Sequence, residues 1–100
     1  MAVIVVGSMR FPPENLPAIQ PHLEELLQVT RAKDGCISYD AAFDPYDPGL
    51  IRFSEVWPDM ATLRAHLSAP HISPWREIAR RMGVTDRSFT AWQGSDPQAV

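Results

Sequence analysis

The chain has 100 residues, 45% hydrophobic and 21% charged, with a net charge of −3 and a pI near 5.5. That length holds one domain able to bury roughly two thirds of its unfolded surface, and the composition excludes a disordered chain. Basic residues are dispersed, with Arg80-Arg81 the only adjacent pair, too small a footprint for nucleic acid; no apolar run approaches the roughly 20 residues needed to span a bilayer.

Met1-Ala2-Val3-Ile4-Val5-Val6 lacks the charged leader of a signal peptide and reads as the start of a buried strand. Val3 to Met9 is a β-branched run that predicts a strand covered on both faces, ended by Phe11-Pro12-Pro13. Leu16, Ile19, Leu23, Leu26, Leu27 and Thr30 then recur at helical spacing. Pro21 interrupts them: either Asn15 caps a lead-in turn and the main helix starts with Pro21 in its first turn, or the helix kinks there. Gly35 is placed to stop it. Cys36 to Phe43 predicts a second strand with Ile37, Tyr39, Ala41 and Phe43 on one side, and Asp44-Pro45-Tyr46-Asp47-Pro48-Gly49 a hairpin loop. Leu50 to Trp57 is the third strand. Asp59 is the expected N-cap of a second helix whose apolar stripe is Met60, Leu63 and Leu67. Pro70 breaks that helix, and its continuation aligns Ile72, Trp75, Ile78, Ala79 and Met82 before Gly83 ends it. Ser88 to Gln93 predicts a last short strand. The domain therefore spans residues 1–94, with 95–100 a frayed tail. Cys36 is the sole cysteine, which excludes an internal disulfide and fits a reducing compartment, with the cytoplasm as the default location.

The order strand, helix, strand, strand, helix, strand is the split βαβ, or ferredoxin-like, α+β arrangement, an antiparallel sheet with both helices on one face. The uncovered face should alternate to polar, yet the first strand is apolar on both sides, and the third sets Leu50 and Val56 against Ile51, Phe53 and Trp57. A large apolar face does not stay in water, so a homodimer with sheets packed face to face is expected.

The chemistry is concentrated between Glu55 and Trp75, which hold two of the three histidines and two of the three tryptophans. This cluster can line a mostly apolar pocket for a small aromatic ligand. Glu55-Val56-Trp57, and Leu63-Arg64-Ala65-His66-Leu67 followed by Pro70-His71, together with the Val-rich first strand and Gly35-Cys36-Ile37-Ser38-Tyr39, resemble the antibiotic biosynthesis monooxygenase (ABM) family. The resemblance implies a dimeric α+β barrel, a ligand cleft between sheet and helices, and oxygenation of quinols, anthrones or related polycyclic phenols by O₂ without metal, flavin or haem. It equally admits a non-catalytic relative that binds an aromatic metabolite. A third reading is haem degradation, but those relatives use a first-strand asparagine, and here that strand reads Val5-Val6-Gly7-Ser8-Met9.

Such chemistry needs a group to remove a proton, walls to hold the ring flat, and exclusion of water. A neutral imidazole suits the first task near pH 7. His66 is the first candidate base and His71 the second; otherwise His66 is a boundary residue with a satisfied hydrogen bond, and His71 caps the restarted helix. Trp57 is either core or, as the resemblance implies, a platform stacking on the substrate. Phe53 and Trp75 are candidate pocket walls, Trp75 being core otherwise, and Trp92 belongs to the sheet or dimer face. Tyr39 either presents its hydroxyl to the cleft or simply packs. Glu55 either relays a proton from an apolar pocket or pairs with Arg52 or Arg64 across the dimer. A metal site is not expected, since His66 and His71 lack zinc-ligand spacing, and no Gly-rich phosphate loop offers a nucleotide a seat.

Overall fold

A computed structural model describes residues 1–100. Strand β1 (Ala2–Arg10) leads through a single 3-10 turn (Pro13–Asn15) into helix α1 (Leu16–Lys33). Strands β2 (Ser38–Phe43) and β3 (Leu50–Trp57) form a hairpin, followed by helices α2 (Met60–Leu67) and α3 (Ile72–Arg81) and strand β4 (Thr85–Gly94). The sheet is antiparallel in the order β2-β3-β1-β4, the ferredoxin-like topology the order of elements predicts. No helix is long and apolar enough to cross a membrane.

Strand pairing aligns the inward side chains in rows. Val3 faces Trp57; Val5 lies between Ala91 and Glu55, with Tyr39 beyond Glu55; Gly7 lies between Phe89 and Phe53. The helices close over these rows. Val3, Phe11, Ile19, Ile51 and Trp57 are essentially inaccessible, and each aliphatic side chain so buried contributes about 1.5–3 kcal/mol.

Several local expectations need correction. Within one protomer β1 is covered on one face: alternate residues are buried, while Ile4 and Val6 are 42% and 57% exposed. The helix neither starts nor breaks at Pro21. α1 is continuous through it, because Pro21 and Pro17, the residue whose carbonyl it cannot serve, are both exposed near the first turns, where that carbonyl is open to water. Asn15 does not cap with its side chain; its Nδ2 donates to the Met82 carbonyl at 2.9 Å and ties the start of α1 to the end of α3. β2 begins at Ser38 rather than Cys36, leaving Ile37 exposed. Leu67 is half-exposed, so the buried stripe of α2 is Leu63 and His66. β4 is longer than expected, starting at Thr85 with an irregularity opposite Ser8–Arg10, where Asp86 takes φ 49°.

Other signals act as read. Asp59 accepts the Thr62 backbone N–H at 2.7 Å, a cap of about 1 kcal/mol. Gly35, at φ +75°, ends α1 in a left-handed conformation costly to a side chain, and so leaves Asp34 at the helix terminus pointing back toward α2.

Candidate active site

A cavity of about 500 Å³ lies between the inner sheet face and helices α2 and α3. Its floor is Val5, Tyr39, Phe53, Glu55, Phe89 and Ala91, the paired rows just described. Its roof includes Leu63, His66, Ile72 and Trp75. Gly7 shapes the floor. A Cβ at that position would overlap the Phe89 ring, so only glycine lets the ring lie across β1.

His66 is held from behind. Its Nδ1 lies 2.6 Å from Asp34 Oδ2, and His71 Nε2 lies 3.0 Å from the same oxygen and 3.1 Å from Thr30 Oγ1. A carboxylate only accepts, so His66 Nδ1 carries the hydrogen it shares with Asp34. That fixes the His66 tautomer and leaves Nε2, which has no protein partner, as a free lone pair on a ring that lines the cavity. Burial pushes the His66 pKa below its ordinary 6.5; Asp34 pulls the other way and is outweighed. The ring is therefore neutral near pH 7.

Burial likewise raises the Glu55 carboxyl, while the Trp57 indole N–H donating to Oε1 at 2.9 Å favours its ionised form. Tyr39 is pushed well above the usual phenol range, by burial first and then by the Glu55 charge. Its ring meets His66 at 5.2 Å between centres.

The structure thus brings His66, Tyr39, Phe53, Glu55 and Trp75 into one cavity. Two candidates fall outside it. Trp57 is fully buried beneath His66, ring centres 4.7 Å apart, and has no open face on which a ligand could stack. Its position opposite Val3 at the end of β3 puts it under α2 rather than along the cavity. His71 sits behind Asp34 and opens instead onto a separate outer groove with His22 and Glu25. Within one protomer Glu55 pairs with neither arginine: Arg52 engages Asp44 at 2.9 Å from the opposite sheet face, and Arg64 is exposed on α2. Trp92 is on the outer face as expected, 63% exposed.

Sequence reasoning missed Asp34, Arg76, Arg87 and Phe89. Asp34 carries no periodic signal, being 32 residues from His66, although its place beside a helix-ending glycine is a hint. The alternation Arg87, Phe89, Ala91 would have shown a common strand face had β4 been started at Thr85.

Asp34, His66 and His71 also offer three metal-ligand atoms within 4.8 Å of one another, a grouping that chain spacing did not suggest. Of their contacts, the 2.6 Å one is a hydrogen bond between His66 Nδ1 and Asp34, while the hydrogen bond of His71 Nε2 is to Thr30 Oγ1 at 3.1 Å.

The model of the antibiotic biosynthesis monooxygenase family matches residues 2–78. The chain belongs to this family. A Deinococcus radiodurans protein provisionally named an antibiotic biosynthesis monooxygenase is 26% identical, with a TM-score of 0.91 over 98% of this chain and 97% of that one. A second solved structure, of an antibiotic biosynthesis monooxygenase, is also 26% identical, with a TM-score of 0.85 over 94% and 99% of the two chains. An uncharacterised protein of Synechocystis sp. is 25% identical over 75 residues, 75% of this chain and 51% of that protein. The chain thus spans about half the length of that curated relative. The cavity is where this ABM chain brings Tyr39, Glu55 and His66 together.

Proposed function

We propose that this protein is a cofactor-independent monooxygenase that oxidises an anthrone, quinol or related hydroxylated polycyclic aromatic with O₂. The observation that carries the reading is His66: its ring lines a largely apolar cavity, Asp34 holds its Nδ1, burial lowers its pKa, and its Nε2 has no protein partner. For an anthrone, Nε2 takes a proton from the ring methylene, leaving a delocalised carbanion. That anion gives one electron to O₂, and the radical pair joins through a C–O bond. The imidazolium returns its proton to the peroxide, and loss of water leaves a ketone. Phe53, Phe89 and Trp75 hold the ring and limit water, and Tyr39, which lines the same cavity, hydrogen-bonds a substrate oxygen through its hydroxyl.

Oxygen-electrode assays test this. Dithranol should be consumed above its autoxidation rate; fluorescence quenching by the ligand with no extra oxygen uptake would instead identify a binding protein. The pH profile has a definite sign. His66 must be neutral to accept a proton, and burial lowers its pKa from 6.5, so enzyme-dependent kcat/KM should fall on acidification with a midpoint below pH 6.5. Stability should weaken in the same window, because below 6.5 the unfolded chain binds this proton before the folded one does.

We further propose that the protein is a homodimer joined through its sheets. On the face away from the helices, Ile4 lies between Val56 and Trp92, with Val6 next along β1. The exposure of Ile4, Val6 and Trp92 there supports a second copy as the cover. Sedimentation at micromolar concentration should give a dimer, and Trp92→Glu should shift it to monomer; a wild-type monomer would refute the assembly.

A further inference from the structure

We infer that the substrate of this cavity carries a carboxylate, held where the cavity meets solvent by Arg76 of α3 and Arg87 of β4. The inference rests on the oxygenase reading and narrows its substrate class.

The titratable lining is arranged by depth. Tyr39, Glu55 and His66 are buried, whereas Arg76 and Arg87 are exposed yet still line the same cavity. Both arginines are free of ion pairs. Arg10, Arg31, Arg52, Arg80 and Arg81 each engage an Asp or Glu elsewhere on the surface. In a chain of net charge −3, where acidic partners are plentiful, two unpaired guanidinium groups on one apolar cavity form a local cationic rim.

Arg87 is also positioned. Its guanidinium carbon lies 4.5 Å from the centre of the Phe89 ring, and that ring is set across β1 by the absence of a side chain at Gly7. Stacking holds one face of the planar fork and leaves its N–H edge for an acceptor. A carboxylate matches that fork with two parallel hydrogen bonds.

The positive field reaches the reacting groups: Arg87 acts on Glu55 and Arg76 on His66, each favouring the less protonated form. A bound carboxylate would lie at the rim with its ring system directed inward between Phe53, Phe89 and Trp75, toward His66. The rim anchors one end of the substrate; the apolar interior takes the rest.

The test compares two anthraquinones that differ at one substituent, rhein (carboxylate) and chrysophanol (methyl), with binding read by quenching of tryptophan fluorescence, for which Trp75 is the cavity reporter. Rhein should bind at least about tenfold more tightly, and the difference should shrink to about twofold or less in R76Q/R87Q and at high salt. Both arginines are exposed, so the variant should keep the wild-type circular dichroism spectrum. Equal affinity for the two compounds, binding of neither, or a preference surviving in the double variant overturns the proposal. Oxygen uptake with the corresponding anthrones is measured in parallel. Rhein preferred without turnover of either anthrone would support the carboxylate site and strike the oxygenase reading alone.

Discussion

Replacing His66 with Ala should lower enzyme-dependent oxidation of dithranol by about 10²–10⁴-fold, the usual worth of a positioned general base. The loss should lie in kcat, because the imidazole serves the proton transfer while the aromatic walls supply most of the binding. Asp34→Asn is the informative companion. The amide can still occupy the site, but it can offer an N–H to His66 Nδ1 and so permit the wrong tautomer, with the hydrogen on Nε2. A reduced rate together with an altered pH profile is expected for that variant. Wild-type oxygen uptake in a folded H66A protein would remove His66 from the mechanism.

The second large effect is on stability. Trp57→Ala should cost about 3–5 kcal/mol, since the indole is wholly inaccessible in the core. It should also leave Glu55 buried without its N–H donor, a further destabilising loss. Trp57→Phe keeps most of the volume and removes the donor, so it should be milder. Urea unfolding monitored by circular dichroism measures both. The alternative suggested by the sequence, a platform that stacks on substrate, makes the opposite prediction: W57A would stay nearly as stable and lose ligand affinity instead.

Trp57 illustrates how far the sequence could be read. The bounds of β3, Leu50 to Trp57, follow from its apolar run and the turn before it, and the alternation puts Phe53, Glu55 and Trp57 on one face. Alternation alone does not say what lies over each residue of that face. α2 crosses above Trp57 and seals it, while Phe53 and Glu55 lie farther along, where the helices stand off and leave the cavity. Pro21 marks a different limit. A proline in a helical pattern announces a break only if the lost bond has no substitute, and solvent supplies one on the exposed side of α1.

What the sequence determined by itself was the local and periodic part: the ferredoxin-like order of elements, the Asp59 cap, the break at Pro70, and the inward face shared by Phe53, Glu55 and Trp57. These follow from interactions among neighbours a few residues apart, which spacing records directly. The tertiary structure alone decided that Asp34 would stand between His66 and His71, that His71 would face away from the cavity, and that Arg76 and Arg87 would share its rim. Those relations join α1 to α2 and α3 to β4 through the packing of helices on a sheet. Contacts made between faces of different elements have no period in the chain, so they become visible only when the elements are brought together.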